Sequence, residues 1–497
     1  MTIGRCSLKS AVLRGVEAVP IDVEVSVGGG MPGFSIVGMA DAAVQESRER
    51  VKAALRASGF SMPIERVVVN LAPSSLKKTG SGFDLAIALG LLGATVQIPA
   101  EGLKGMLFVG ELSLNGSIRP VPGQLAYALC ARNLGLDLAC SANADDLVPI
   151  EGMKYFGMRS LRDLRTGEIS DVQPVRMSGS APCPDFAEVS GNSVAKRALQ
   201  IAAAGNHGVL MMGPPGSGKT MLASRIASIM PPLSEEEMLE VALVHSVAGE
   251  EITSFLAGNR PFRAPHHSAT AAGLIGGGTP VRPGEISLAH LGVLMLDELP
   301  EFKPSVLQQL RQPLESGMVT ITRADGNIVF PARFLLVASA NPCPCGYYGD
   351  PERPCTCTLA QVHTYQNRIG GPLMDRIDIH IDVRRVAPGQ VLSEQGGISS
   401  AELKEGVMKG VAYASWRRAR FGQASTTQEM IESCCMEDSD KEFFEKMARA
   451  NRMSGRAIVR SLSVARTIAD MDERAQVSKD DLCEALGFRL REGVGGE

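Results

Sequence analysis

The sequence predicts a multidomain α/β protein whose central domain is built on a parallel sheet. Its 497 residues exceed what one hydrophobic core usually organises, so two or three domains are expected. Apolar runs that suit buried strands alternate with helical patterns between Asn192 and Val383. The glycine-rich segment GPPGSGKT joins one such strand to a helix. This alternation is typical of parallel strands connected by crossover helices.

The patterns divide the chain into four segments. Residues 1–170 alternate β-rich runs with helical patterns and predict a compact α/β domain. Residues 171–186 are rich in Pro and Ser and suit a linker. Residues 187–388 contain the strand and helix alternation, and residues 399–497 are almost wholly helical.

Composition excludes several classes of protein. The net charge of −4 is not the basic footprint of a general nucleic-acid binder, so any DNA contact must be local. The first residues, MTIGRCSLKSAVLRG, contain no apolar signal region, and no apolar run reaches the roughly 18 residues of a transmembrane helix. We therefore expect a cytoplasmic protein without a membrane partner, whose thiols stay reduced.

The GPPGSGKT segment fits the phosphate-binding pattern G-x-x-x-x-G-K-[ST]. Glycines let backbone N–H groups close around phosphate oxygens. Lys219 is expected to reach the β- and γ-phosphates, and Thr220 to offer its hydroxyl to Mg²⁺. The predicted cofactors are ATP and Mg²⁺. The predicted loop residues are Gly213, Pro214, Pro215, Gly216, Ser217, Gly218, Lys219 and Thr220.

Polar residues follow two further strand-like runs. VLMLDEL places Asp297 where it can hold the magnesium and Glu298 where it can polarise the attacking water. FLLVASAN ends in Asn341, which could orient that water or could merely open an Asn-Pro turn. An acidic pair at a strand end can also be a solvated turn, but the upstream loop favours ATP hydrolysis.

Four cysteines stand in the segment 343–357. Cys343 and Cys345 form one close pair, and Cys355 and Cys357 form another. In a reduced protein, two such pairs around a Gly/Pro/Asp-containing loop can converge on a tetrahedral Zn²⁺. Reduced thiols in a folded loop and a redox switch are the alternatives. The adjacent histidines 266 and 267 have no obvious third ligand, which favours packing or subunit contact over metal binding.

Two long motifs make the chain resemble a known family. The first is RPFRAPHHSATAAGLIGGGTPVRPGEISLAHLGVLMLDELPEF and the second is ASANPCPCGYYGD. With the three strands described above, the central region resembles an AAA+ ATPase module of the magnesium-chelatase-like branch. The whole chain resembles the YifB/ComM family. That resemblance implies a ring-forming motor, hexameric by expectation, with ATP bound between subunits and a C-terminal helical lid.

The same resemblance assigns roles to two arginines. MDRIDIHIDV matches the arginine-finger segment and places that role on Arg376, which could instead pair with Asp375 or Asp378. MSGRAIVRSLSVARTIADM matches the sensor-2 helix and places that role on Arg456. A solvated helix face is the alternative for Arg456, with Arg460 as the competing sensor. A guanidinium supplied by a neighbour would make hydrolysis depend on assembly.

Two loops are candidates for DNA contact. AGLIGGGTPVRPG carries Arg282 and resembles the helix-2 insert, which points toward the ring's central pore. VTITRADGNIVF reads as a hairpin with an Asp-Gly turn and carries Arg323. Copies of these cations around a pore could grip a phosphate backbone. Each loop could equally be an ordinary surface turn.

The N-terminal segments VVVNLAPSSLKKTGSGFDLAIAL and GSIRPVPGQLAYALCARNLGL resemble the Lon-protease-like fold related to ribosomal S5 domain 2. The resemblance places the protease's serine on Gly82 and its lysine near Tyr127, so both chemical groups are missing. Ser81 would restore the serine after a shift of one residue. We expect a non-proteolytic domain.

The expected function is an ATP-driven motor on single-stranded or branched DNA, because the resemblance implies helicase and branch-migration activity in recombination and natural transformation. The rival is a protein-remodelling ATPase similar to the magnesium-chelatase motor subunit.

Overall fold

The computed structural model describes residues 4–144, 146–166, 170–172, 183–323, 326–369, 371–386, 397–424 and 426–489. The predicted linker 171–186 falls largely outside these residues, as does Asp325 of the predicted Asp-Gly turn. The four predicted segment boundaries stay predictions.

The N-terminal part is built on a mixed eight-stranded sheet. The strands of this part are β1 Gly4–Arg14, β2 Glu17–Gly28, β3 Gly33–Val37, β4 Arg66–Ala72, β5 Met106–Phe108, β6 Glu111–Leu112, β7 Ile118–Arg119, β8 Asp137–Ser141, β9 Tyr155–Met158 and β10 Ser170–Asp171. Strands β6 and β7 pair with each other as a separate short ribbon, and the other eight form the sheet. The order across the sheet is β10-β9-β8-β5-β1-β2-β4-β3. Strands β1 and β2 form the longest antiparallel pair, whereas β5, β8 and β9 run parallel.

Helices cover this sheet. They are α1 Ala42–Ala57, α2 Asp84–Ala94, α3 Gln124–Asn133 and α4 Asp163–Thr166. A 3-10 turn covers Ala100–Leu103. Every residue of α2 is buried, as its almost wholly apolar sequence DLAIALGLLGA predicts.

A second, five-stranded sheet lies at the centre of the chain. The strands from this part, including two small hairpins (β13–β14 and β16–β17), are β11 Val209–Met212, β12 Phe262–Arg263, β13 Gly276–Gly277, β14 Arg282–Pro283, β15 Val293–Leu296, β16 Met318–Arg323, β17 Gly326–Pro331, β18 Leu335–Ala340 and β19 Ile379–Asp382. The sheet order is β12-β15-β18-β11-β19, and each neighbouring pair is parallel. The prediction of a parallel sheet is confirmed.

The central helices are α5 Ser193–Gly205, α6 Lys219–Ile229, α7 Glu235–Ala248, α8 Thr253–Leu256, α9 Ala271–Ile275, α10 Glu285–Leu288, α11 Pro304–Gln308, α12 Arg311–Ser316, α13 Leu359–Asn367 and α14 Gly371–Met374. Successive side chains of β11 enter different cores: Val209 and Met211 pack with α5 and α6, whereas Leu210 and Met212 pack with α10 and α11. Burial on both faces explains why these strands are continuous apolar runs. Short 3-10 turns cover Phe186–Glu188 and Leu299–Glu301.

The C-terminal part is helical. Its helices are α15 Ser400–Phe421, α16 Thr427–Glu432, α17 Asp438–Ala450, α18 Gly455–Met471 and α19 Lys479–Gly487. Ser399 and Glu402 form a capping box that fixes the start of α15. Apolar residues of α15, α18 and α19 join the core that contains Val209. Among the helices of the described ranges, none is both long and apolar enough to span a bilayer.

The N-terminal part contacts the central part through α3 and α7. The backbone N–H of Gly123 donates to Ser246 O at 2.8 Å, and Ser246 Oγ donates to Asp146 Oδ2 at 2.7 Å. Leu125 packs there against Ala242 and Ile252. The two parts therefore share a small apolar core as well as hydrogen bonds.

Candidate nucleotide site and cysteine cluster

The phosphate-binding loop lies at the carboxyl edge of the central sheet, between β11 and α6. Gly218 adopts φ of +89°, a conformation that favours glycine, and α6 begins at the next residue. Gly213 is required for space, because a Cβ there would lie 2.1 Å from the carbonyl oxygen of Val383. The first backbone N–H groups of α6 have no acceptor within the helix, which suits them to a phosphate.

Lys219 lies folded under this loop. Its Nζ donates to Gly213 O at 2.8 Å and to Pro214 O at 3.0 Å, and it lies 3.4 Å from Asn341 Oδ1. The side chain is buried, and this burial lowers the pKa of Lys219. The structure thus brings Asn341, at the end of β18, to the predicted phosphate lysine.

Thr220 meets the acidic strand. Its Oγ1 donates to Asp297 Oδ2 at 2.8 Å, and Asp297 also accepts a hydrogen bond from Ser339 Oγ. Hydroxyl and carboxylate oxygens are the ligands that Mg²⁺ prefers, and Thr220 and Asp297 present one of each side by side. Ser339 was not predicted; the signal was its place in FLLVASAN, two residues before Asn341 and therefore on the same strand face.

Glu298 follows in a left-handed conformation with φ of +53°. Its carboxylate is about half exposed, and Oε2 lies 3.6 Å from Nδ1 of His267. His267 stacks on His266, whose Nδ1 contacts Ser268 Oγ at 2.8 Å. The sequence patterns did not predict the contact between His267 and the acidic pair, because the two lie on different strand ends.

We call Lys219, Thr220, Asp297, Glu298 and Asn341 the nucleotide edge. A magnesium–nucleotide complex fits it: an ammonium and free helix N–H groups for phosphates, a hydroxyl and a carboxylate for the ion, and a second carboxylate that is open to solvent.

The four cysteines converge in the loop after Asn341. Their Sγ atoms all lie within 4.8 Å of one another, with 3.3 Å between Cys343 and Cys345 and 3.6 Å between Cys343 and Cys355. A tetrahedral zinc with Zn–S of about 2.3 Å needs sulfurs separated by ~3.8 Å. The backbone N–H groups of Tyr347 and Thr356 lower the pKa of Cys345 to about 5, whereas burial and the neighbouring thiols raise the pKa of Cys355 and Cys357. Cys345 is therefore the thiol of this cluster that most readily becomes a thiolate. The geometry and chemistry of the four thiols fit Zn²⁺.

This cysteine loop packs directly on the phosphate-binding loop. A Cβ on Gly346 would lie 2.6 Å from Cδ of Pro215, so the two loops touch. Arg385 joins them as well: it donates to Pro215 O at 3.3 Å and lies 3.8 Å from Asp350, whose side chain is buried. A change in the conformation of the cysteine loop would therefore act on the phosphate-binding loop, which leads into Lys219 and Thr220 of the nucleotide edge.

Comparisons with known proteins agree with this architecture. Three family models match: Subunit ChlI of Mg-chelatase over residues 23–143, Magnesium chelatase, subunit ChlI over residues 185–391, and Magnesium chelatase, subunit ChlI C-terminal over residues 397–489. Competence protein ComM of Haemophilus influenzae is 41% identical over 494 residues, covering 97% of this chain and 96% of ComM. YifB of Escherichia coli is 40% identical, covering 96% of this chain and 95% of YifB.

The chain belongs to the YifB/ComM family. The Magnesium-chelatase 67 kDa subunit of Chlorobaculum parvum matches less of it, with 29% identity over 32% of this chain and 23% of that subunit. The parallel sheet and the central family model are consistent with a magnesium-chelatase-like AAA+ fold.

None of the described ion pairs of the arginines that the YifB/ComM resemblance singled out involves a residue of the nucleotide edge. Arg376 contacts Glu315, rather than Asp375 or Asp378, and its side chain is only 10% exposed. Arg456 is exposed in the first turn of α18, and no described carboxylate pairs with it. Arg460 pairs with Asp378, which precedes β19 at the amino edge of the sheet and so lies opposite the phosphate-binding loop.

The two positions marked by the Lon-like resemblance do lie together. A Cβ on Gly82 would be 3.7 Å from the hydroxyl oxygen of Tyr127. Tyr127 is buried, and burial raises its pKa. Ser81 donates to Glu111. The Lon-protease-like fold of this part stays a prediction.

Proposed function

We propose that this chain is an ATP-driven ring motor that acts on DNA. The observation that supports ATP hydrolysis is the nucleotide edge, to which three separate strand ends contribute. Lys219 lies within hydrogen-bonding distance of Asn341, and Thr220 donates to Asp297. Bound ATP would supply the phosphoanhydride that is broken, and Mg²⁺ would neutralise charge on its phosphates.

Each residue then has a defined task. Lys219 binds phosphate oxygens, while Thr220 and Asp297 hold the magnesium. Glu298 accepts a proton from the attacking water at its carboxylate, and Asn341 orients that water. Because the side chain of Glu298 is about half exposed, a water molecule can reach its carboxylate.

The ring is proposed from the arginines. The backbone of Arg376 lies beside Gly208 at the amino end of β11, opposite the phosphate-binding loop of its own chain, which favours a neighbouring subunit's nucleotide as its target. Arg456 is exposed and available for a sensor-2 role toward ATP. The finger role of Arg376 requires a homo-oligomer, which we propose to be a hexamer.

The choice of DNA as the substrate rests on the extent of the family match. ComM, named as a competence protein, aligns with 97% of this chain, whereas the chelatase subunit aligns with 32%. The match to ComM thus spans both the N-terminal and the central parts, and resemblance to the YifB/ComM family implies helicase and branch-migration activity. A structural Zn²⁺ held by Cys343, Cys345, Cys355 and Cys357 is part of this proposal.

The deciding experiment is steady-state ATP hydrolysis with and without single-stranded and four-way-junction DNA. Lys219→Ala is the blank, and Lys303→Ala, an exposed lysine of the same domain, is the matched control. Stimulation of several-fold that is absent only from Lys219→Ala supports a DNA motor and justifies unwinding and branch-migration assays.

The second candidate is a protein-remodelling ATPase similar to the magnesium-chelatase motor subunit. It is favoured by the three matching ChlI family models. A hydrolysis rate that no DNA alters, measured on protein shown to assemble, would select this candidate and reject the DNA motor.

A further inference from the structure

A cavity of about 370 Å³ lies between the N-terminal part and the two hairpins of the central part. The N-terminal walls come from the turn after β1 and from the segment that precedes α2, and the central walls come from hairpins β13–β14 and β16–β17. We call this site the cation cavity. Its charged lining residues are Arg14, Lys77, Glu111, Arg282 and Arg323. Four cations thus face one carboxylate in a chain whose overall net charge is −4.

We propose that the cation cavity binds the sugar–phosphate backbone of single-stranded DNA, with Lys77 and Arg282 as the contacting cations. The inference deepens the function proposed above and rests on it. It gives the N-terminal part a share in holding DNA, alongside the hairpins that carry Arg282 and Arg323.

The walls of the cavity are held together by close contacts between the two parts. A Cβ on Gly15, in the turn after β1, would lie 2.8 Å from the carbonyl oxygen of Val329 in β17. A Cβ on Gly326 would lie 2.4 Å from Nη2 of Arg14. The turn and the hairpin therefore pack against each other without a gap on this side of the cavity.

The two hairpins are joined by Arg323. Its Nη2 donates to Gly278 O at 2.6 Å and its Nη1 lies 3.4 Å from Thr279 Oγ1. Arg323 is therefore a positioning residue that fixes the loop carrying Arg282. This refines the expectation that Arg323 itself grips DNA.

Lys77 and Arg282 are differently placed. Both are exposed, and no described carboxylate lies within ion-pair distance of either. Glu111, the acidic member, accepts a hydrogen bond from Ser81 and lies near enough to raise the pKa of Arg50. The negative charge of Glu111 is thus partly offset by Arg50 within the N-terminal part. No described carboxylate offsets the positive charges of Lys77 and Arg282 in the same way.

The remaining lining suits phosphate better than bases. Hydroxyls of Thr79 and Ser81 and the glycines Gly80 and Gly278 stand beside the cations. Small residues let backbone N–H groups approach a phosphate, while no described aromatic ring lies exposed in the lining to stack on a base. The volume is that of a small-molecule pocket, which admits a segment of one strand and excludes a duplex. The expected binding is independent of base sequence and sensitive to salt.

The test compares Lys77→Glu with Lys154→Glu in the full chain. Lys154 is also an exposed lysine of the N-terminal part, has no described ion pair, and lies outside the cavity. Affinity for a fluorescently labelled oligo-dT is measured by anisotropy over a salt series, with a non-hydrolysable ATP analogue. We expect Lys77→Glu to weaken binding at least about tenfold and to reduce the slope of log K against log salt by about one. Lys154→Glu should match the wild type.

Each outcome decides something. Equal affinity of Lys77→Glu and wild-type protein overturns the cation cavity and leaves the DNA motor standing. Wild-type protein that binds no DNA overturns both. If Lys77→Glu lowers the melting temperature, Lys77→Gln and Arg282→Gln replace it, and unchanged affinity in both of these also rejects the proposal. Lys77→Arg keeps the positive charge that Lys77→Glu removes, and it should bind DNA as the wild type does.

Discussion

The nucleotide edge and the cation cavity both assemble charged groups from distant segments, but they hold these groups differently. At the edge, Lys219 has carbonyl acceptors, Thr220 has Asp297, and Glu298 lies near His267. In the cavity, Lys77 and Arg282 are exposed and lack described ion-pair partners. Hydrogen bonds and close contacts hold the side chains of the nucleotide edge in one arrangement. The exposed cations of the cavity act through their charge, which salt screens. Substitutions at the edge should therefore change hydrolysis steeply, and substitutions in the cavity should change affinity gradually.

The largest effect is expected from Arg376→Ala. A finger supplied by a neighbour is worth about 10³- to 10⁵-fold in hydrolysis, so the rate should fall at least about 1,000-fold with ATP affinity nearly unchanged. Steady-state hydrolysis and binding of a fluorescent ATP analogue check this.

Glu315→Gln is the control, because it removes the partner of Arg376 without removing the guanidinium. It should keep its hydrolysis rate. If Glu315→Gln loses as much activity as Arg376→Ala, the pair is structural and the finger assignment is wrong. An equimolar mixture of Arg376→Ala and Glu298→Gln chains should regain part of the activity, because some interfaces then combine an intact Glu298 with an intact Arg376.

Glu298→Gln is expected to lower hydrolysis by about 10²- to 10⁴-fold while ATP still binds. The amide keeps the size of the side chain but cannot accept the proton of the attacking water. Glu301→Gln, three residues later and 3.8 Å from Arg368, is the matched control and should hydrolyse normally. A wild-type rate of ATP hydrolysis in Glu298→Gln would show that another residue accepts the proton of the attacking water.

Cys345→Ser tests the link between the cysteine cluster and the edge. Zinc content, measured by elemental analysis, should fall from about one per chain to background, and the melting temperature should fall by several degrees. Because Gly346 packs on Pro215, ATP affinity should weaken about threefold to tenfold.

Cys435→Ser replaces an exposed cysteine outside the cluster and should alter none of these quantities. Wild-type protein that contains no zinc after native purification would reduce the cluster to ordinary thiols.

The smallest effect is expected from His267→Asn. Loss of its contact with Glu298 should lower kcat about threefold to tenfold and leave KM for ATP nearly unchanged, since the histidine orients the base and does not touch the nucleotide. His266→Asn is the control, because His266 contacts Ser268 instead. Equal effects of the two substitutions would mean that the stacked pair matters only for packing.

Several parts of the site were predictable because they are local in sequence. The pattern G-x-x-x-x-G-K-[ST] between a strand and a helix predicts a phosphate-binding loop from eight consecutive residues. Asp297 and Asn341 end two apolar runs, and carboxyl ends of parallel strands meet at one edge of a sheet. Spacing alone also predicted that the four cysteines could converge. The Lys219–Asn341 and Thr220–Asp297 contacts are the physical result of these patterns.

The sequence by itself thus determined the parallel sheet, the phosphate-binding loop and the family. The tertiary structure alone decided the partners of long polar side chains: His267 for Glu298, Glu315 for Arg376, and Asp378 for Arg460. It also decided that the cysteine loop lies on Pro215 and that Lys77 lies in the same cavity as Arg282. Local patterns fix which backbone groups form strands and turns, but contacts between segments far apart in the chain depend on how whole elements pack, and no short motif encodes that.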